Sequence, residues 1–187
     1  MAIDAGVDQA ALPPVTLILG GARSGKSVFA EGLCESRPGD CVYLATAEAR
    51  DDEMAARIAQ HRARRGSRWS TSEEPLDLSG ALGSAARADR TVLVDCLTLW
   101  LSNLLEWGRD IEAETATLVA RLDRLEGPVV LISNEVGLGI VPDNALARAF
   151  RDHAGRLNQT IAAAAQRVIF IAAGLPMIMK DEMRGKG

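Results

Sequence analysis

A chain of 187 residues with 48 % hydrophobic and 25 % charged positions has the make-up of one globular domain with a full core. Its net charge of −4, from 21 basic and 25 acidic residues, argues against a general nucleic-acid binder. No apolar run approaches the ~20 residues that span a bilayer, and three cysteines without metal-ligand spacing (Cys34, Cys41, Cys96) fit buried hydrophobes in a reducing cytoplasm.

The first 14 residues carry Asp4 and Asp8, no basic residue and a Pro13-Pro14 stop, and so predict a flexible tail rather than a signal peptide. Residues 16–19 then form a strand-like run that ends in glycines. The pattern G-x-x-x-x-G-K-S falls on Gly20, Gly25, Lys26 and Ser27, and a helical stretch over 28–33 follows it. Each residue type has a physical task there. Glycines let successive backbone N–H groups converge on phosphate oxygens with no Cβ in the way. The helix adds its positive end, Lys26 reaches the β- and γ-phosphates, and the Ser27 hydroxyl can hold Mg²⁺. The expected cradle is Gly20, Gly21, Ala22, Arg23, Ser24, Gly25, Lys26 and Ser27, with Arg23 a second cation for a terminal phosphate.

Strand-like and helical runs alternate through the rest of the chain. A strand is expected over 41–45 and a helix over 51–65, with Asp51, Asp52 and Glu53 in its first turn and Arg62, Arg64 and Arg65 in its last, a charge order that complements the helix dipole. Further expectations are a short edge strand over 69–71, a helix over 76–88, and a buried strand over 91–95 that ends in Asp95. Helices over 97–107 and 112–125, a strand over 129–133, a long helix over 144–166 and strands over 168–172 and 176–179 complete the series. Apolar strands separated by helices imply a mostly parallel sheet with right-handed crossovers. Together these elements predict a single α/β domain over 15–180, with a C-terminal tail over 181–187.

In such a sheet, ligands bind outside the carboxyl ends of the strands. That rule selects the phosphate loop, residues 46–50, Asp95, and Asn134-Glu135. Asp95 fits the acid that holds Mg²⁺ opposite Ser27, directly or through water; a helix N-cap is the alternative. Glu135 can polarise a substrate hydroxyl or bind metal, or be a plain loop carboxylate. Glu53, Arg57 and His61 share one helix face by spacing. His61 reads either as a nucleophile toward phosphorus, with Arg62, Arg64 and Arg65 neutralising the phosphate chain, or as a solvated helix-end histidine. His153 reads as a helix-surface residue. Arg148, Arg151 and Arg156 fit a solvated face, an oligomer contact or a phosphate clamp. The chain has no Asn-Lys-x-Asp guanine-reading motif and no arginine-rich lid of a nucleoside monophosphate kinase.

Four stretches, GGARSGKS, DDEMAARIAQHRARR, VDCLTLWLSNLL and SNEVGLGIVPDNALARAFRDHAGRLNQ, closely resemble the bifunctional adenosylcobinamide kinase / adenosylcobinamide-phosphate guanylyltransferase family of cobalamin biosynthesis. The resemblance runs over nearly all of residues 15–180. It implies a P-loop NTPase fold of the RecA-like branch, a mostly parallel sheet flanked by helices, assembled as a homotrimer in the cytoplasm.

It also implies two reactions. A nucleoside triphosphate, ATP or GTP, phosphorylates the hydroxyl of adenosylcobinamide. GTP then transfers GMP, through a guanylyl-histidine, onto that phosphate. His61 is the histidine of the helix after strand two and takes that role by resemblance; Lys26 and Glu135 join it as catalytic residues, Arg62 as a nucleotide contact, and Ser27 and Asp95 as Mg²⁺ ligands. Two other readings keep the phosphate loop but dispense with His61: a kinase of another small alcohol, and a nucleotide-binding module.

Overall fold

The computed structural model describes residues 12–47 and 65–183. Among the described residues, seven strands form one sheet in the order β3-β2-β4-β5-β1-β6-β7. They are β1 (Val15–Gly20), β2 (Asp40–Ala45), β3 (Trp69–Glu73), β4 (Arg90–Asp95), β5 (Val129–Asn134), β6 (Arg167–Ala172) and β7 (Leu175–Asp181). All pairings are parallel except that of β7, which folds back antiparallel on β6. The described helices are α1 (Lys26–Glu35), α2 (Leu78–Ala85), α3 (Leu97–Glu106), α4 (Ile111–Leu122) and α5 (Ala145–Ala164). The helix expected over 51–65 lies outside the described residues, apart from Arg65.

Alternation along each strand splits the core in two. Leu17 and Leu19 of β1, Val94 of β4 and Leu131 of β5 face α2, α3, α4 and α5, whose Leu82, Trp100, Leu118 and Leu157 cover them. Ile18, Leu93, Val130 and Tyr43 face the opposite layer, covered by Ala30, Leu33 and Cys34 of α1. Each such Leu, Ile or Val contributes about 1.5–3 kcal/mol when fully buried, so the central strands form a stiff platform. The register sets the carboxyl ends level. Gly20 pairs with Asn134, Ala45 with Asp95, and Asp95 with Ile132.

Element limits differ from expectation where side chains take up backbone donors. The helix expected from residue 76 begins at Leu78. Glu74 Oε1 accepts from the N–H groups of Leu76 (2.9 Å) and Asp77 (2.8 Å), and Asp77 then caps the helix by accepting from Gly80 N (2.9 Å). Asp110 caps α4 in the same way, at 3.0 Å to Glu112 N and to Ala113 N. β7 runs two residues past the expected Met179, and its end is tied down by the buried ion pair of Asp181 with Arg167 (3.3 Å). At the other terminus, Leu12 already packs on the α1 layer.

Candidate functional site

The sharp turn out of β1 is the core of the site. A Cβ on Gly20 would collide with the Ile171 carbonyl of the neighbouring strand and lie 2.8 Å from Ser24 Oγ. Gly25 sits at φ +98, a left-handed value that an L side chain resists, and forms the N-cap of α1 without a side-chain partner. The chain therefore leaves the strand, exposes its N–H groups and enters a helix within a few residues. Ala22 and Arg23 are exposed at the tip, and Ser24 N donates to Gly21 O (3.3 Å).

Lys26 folds back over this loop, donating from Nζ to the Gly21 carbonyl at 2.6 Å. Burial lowers its pKa, while Cys96 and Asp95 pull the other way. Ser27, on the first turn of α1, donates to Asp95 Oδ2 at 3.1 Å. Tyr43 of β2 donates to the same oxygen at 2.9 Å. Its phenol is pushed well above the usual tyrosine value by burial first, then by the Asp95 carboxylate. Behind Asp95, Thr46 Oγ1 accepts from Cys96 N (2.9 Å) and donates to Cys96 O (2.8 Å). Asn103 of α3 in turn donates to the Thr46 carbonyl at 2.8 Å, so Thr46 holds the residue after Asp95 and is itself held by α3.

Glu135 follows β5 and reaches the same edge. Its backbone N–H donates to Gly20 O (3.0 Å), and its Oε1 accepts from Gly137 N (2.6 Å). Arg65 closes the far side. Its guanidinium stacks on the Tyr43 ring, 3.5 Å from the centroid, bonds Thr71 Oγ1 (3.4 Å) and faces Glu31 (3.7 Å).

These parts line one cavity of about 610 Å³, with Arg23, Lys26, Ser27, Asp95, Glu135 and Arg65 in its wall. The structure thus brings together the phosphate loop, Asp95 and Glu135. His61 and Arg62 lie outside the described residues. His153 is half-buried on α5, and Arg148 is engaged in holding the carbonyls of Pro142 (2.9 Å) and Asp143 (2.7 Å).

Sequence reasoning did not single out Tyr43. Its only local signal is that it is the one tyrosine of the chain, two residues before a strand's carboxyl end. Mg²⁺ asks for hard oxygen ligands and keeps most of its shell as water and phosphate. Ser27 Oγ and the Asp95 carboxylate fit that need; among the described residues no cluster of three or more His, Cys, Asp or Glu could form a protein-only metal cage.

A phosphate loop at the end of an inner strand of a mostly parallel sheet, with an acid on the next strand but one, defines a P-loop NTPase fold of the RecA-like kind. Solved structures agree. One ATPase domain superposes with a TM-score of 0.55 at 12 % identity over 95 % of this chain and 87 % of that one. An ATPase of the type III secretion system of pathogenic bacteria gives 0.53 at 13 % identity, over 88 % of this chain and 56 % of that one. At such identities the likeness is of fold alone.

The chain belongs to the cobinamide kinase / cobinamide phosphate guanyltransferase family, whose sequence profile matches residues 16–179. It is 52 % identical over 168 residues to the bifunctional adenosylcobalamin biosynthesis protein CobP of Pseudomonas aeruginosa, spanning 89 % of this chain and 97 % of that one. The bifunctional adenosylcobalamin biosynthesis protein CobU of Salmonella typhimurium is 41 % identical over 179 residues, spanning 88 % of this chain and 98 % of the other. It is thus an enzyme of a bifunctional transferase family in cobalamin biosynthesis.

Proposed function

We propose that the protein phosphorylates adenosylcobinamide with ATP or GTP and then guanylylates the product through His61, giving adenosylcobinamide-GDP. The observation that carries this reading is the single cavity in which the phosphate loop, Asp95, Glu135 and Arg65 converge.

In the first step the substrate hydroxyl oxygen attacks the γ-phosphorus, the bond to the β-phosphate oxygen breaks, and a nucleoside diphosphate leaves. Lys26 and Arg23 neutralise the phosphate chain, and the backbone N–H groups from Gly21 to Ser27 hold it in line. Glu135 accepts the hydroxyl proton; to do so it exchanges its contact with Gly137 N for the substrate. Ser27 and Asp95 hold Mg²⁺, which when bound supplies charge neutralisation at the phosphate oxygens.

In the second step a neutral imidazole nitrogen of His61 attacks the α-phosphorus of GTP and releases pyrophosphate. The phosphoryl oxygen of adenosylcobinamide phosphate then attacks the same phosphorus and frees the histidine. Arg62 balances the charge of the bound nucleotide. Arg65, four positions after His61 in the sequence, lies in the cavity wall. A homotrimer, acting in the cytoplasm with residues 15–180 as its catalytic unit, completes the reading.

Incubation with α-labelled GTP tests it. A protein-bound label that survives alkali and is lost in acid marks a phosphoramidate. His61→Ala should abolish that label and leave phosphorylation of adenosylcobinamide in place. Labelling that persists in His61→Ala refutes the role of His61, and loss of both activities together refutes the division of labour.

A further inference from the structure

Asp95 is held by more than the serine of the phosphate loop. Two hydroxyls donate to its Oδ2, Ser27 from α1 and Tyr43 from β2, at 3.1 and 2.9 Å. The strand register explains why a tyrosine can do this. Tyr43 pairs with Leu93, and Asp95 lies two residues further along the same face. That diagonal is roughly 7–8 Å between backbones, more than a serine or threonine spans and about the reach of a phenol. The ring itself cannot drift. It is 8 % exposed and carries the Arg65 guanidinium on one face, and Arg65 is anchored in turn to Thr71 and Glu31.

We infer that Tyr43 is a positioning residue of the metal site: it locks the Asp95 carboxylate in one orientation through Oδ2, so that Mg²⁺ with its triphosphate meets a preset ligand. This rests on the reading that Asp95 holds Mg²⁺. The alternative is that Tyr43 merely satisfies its own buried hydroxyl at the nearest acceptor. The two differ in consequence. A hydroxyl that is only being satisfied affects folding stability. A lock on the carboxylate also affects how much Mg²⁺ the bound nucleotide requires.

The test is the affinity of the whole protein for a non-hydrolysable GTP analogue, measured by calorimetry across a Mg²⁺ series. Tyr43→Phe keeps the ring and its stacking and removes only the donor. It should raise the half-saturating Mg²⁺ concentration about 3- to 10-fold, the size of one typical lost hydrogen bond, and leave Mg²⁺-free binding of the analogue unchanged. Asp95→Asn run in parallel should raise the Mg²⁺ requirement more. Should Asp95→Asn shift it while Tyr43→Phe does not, the positioning role falls and the metal reading stands. Should neither shift it, both fall. A second readout does not depend on a variant that must fold. The chain has one tyrosine, so 3-fluorotyrosine gives a single ¹⁹F resonance. Adding Mg²⁺ to the analogue-bound protein should move that resonance, and a resonance indifferent to Mg²⁺ overturns the inference.

Discussion

The backbone N–H of Gly174 donates to the carbonyl of Ser24 at 2.8 Å, so the tip of the last hairpin holds the phosphate loop from behind. Ala173 and Gly174 form that tip with φ values of +51 and +78, a two-residue turn whose twist matches the paired strands. The contact is close, for a Cβ on Gly25 would sit 3.3 Å from Gly174 Cα. The loop is therefore clamped between its own helix and an element about 150 residues later in the chain.

Gly174→Ala isolates the backbone part of that clamp. Nothing lies within 4 Å of a Cβ at this position, so only the left-handed φ opposes it. Stability to urea should fall by about 1–2 kcal/mol, and triphosphate affinity several-fold as the loop loosens. Gly20→Ala should be far more severe, because its Cβ meets the Ile171 carbonyl. Equal effects of the two changes, by denaturation and nucleotide titration, would contradict the clamp.

Lys26→Ala should lower both the phosphorylation and the guanylylation rates, on the order of 10²-fold or more, since each reaction needs a bound triphosphate and one phosphate loop can serve both. Steady-state assays of the two half-reactions decide this. Loss of one rate alone would mean that the cradle serves only that step.

The Arg167–Asp181 pair ties the end of β7 to the start of β6, with side chains 1 % and 4 % exposed. Asp181→Ala removes the carboxylate from a deeply buried guanidinium and should destabilise the fold by about 3–5 kcal/mol in urea. The double change Arg167→Met with Asp181→Leu should be milder than Asp181→Ala, because apolar side chains tolerate that site where a charge does not. The reverse order would show that the pair does more than satisfy itself.

All three cysteines are buried, and burial raises each thiol above its ordinary value, that of Cys96 to about 11. Little thiolate exists at pH 8, so Ellman's reagent should react slowly with the native protein and rapidly with three thiols once it is unfolded. The native rate should climb as pH rises toward those shifted values. A thiol that reacts quickly in the native state at pH 8 would be incompatible with this packing.

Much of this molecule is written locally. The phosphate loop was legible because its demands are local ones: Gly20 for a turn with no room for a Cβ, Gly25 for its backbone angle, Lys26 and Ser27 for their chemistry. Asp95 and Glu135 followed from the rule that ligands gather where strands end. The limits of α2 were less legible, since the helical pattern extends past the point where Glu74 and Asp77 take up its first donors.

Continuous apolar runs mark strands covered on both faces and helical patterns mark the segments that cover them, and so the strands, the two-sided core and the glycine-rich loop were determined by the sequence alone. Which residues meet across the sheet depends on strand order and register, set by pairing among segments far apart in the chain. Tertiary structure alone therefore decided that Tyr43 reaches Asp95, that Arg65 covers Tyr43, and that Gly174 braces Ser24.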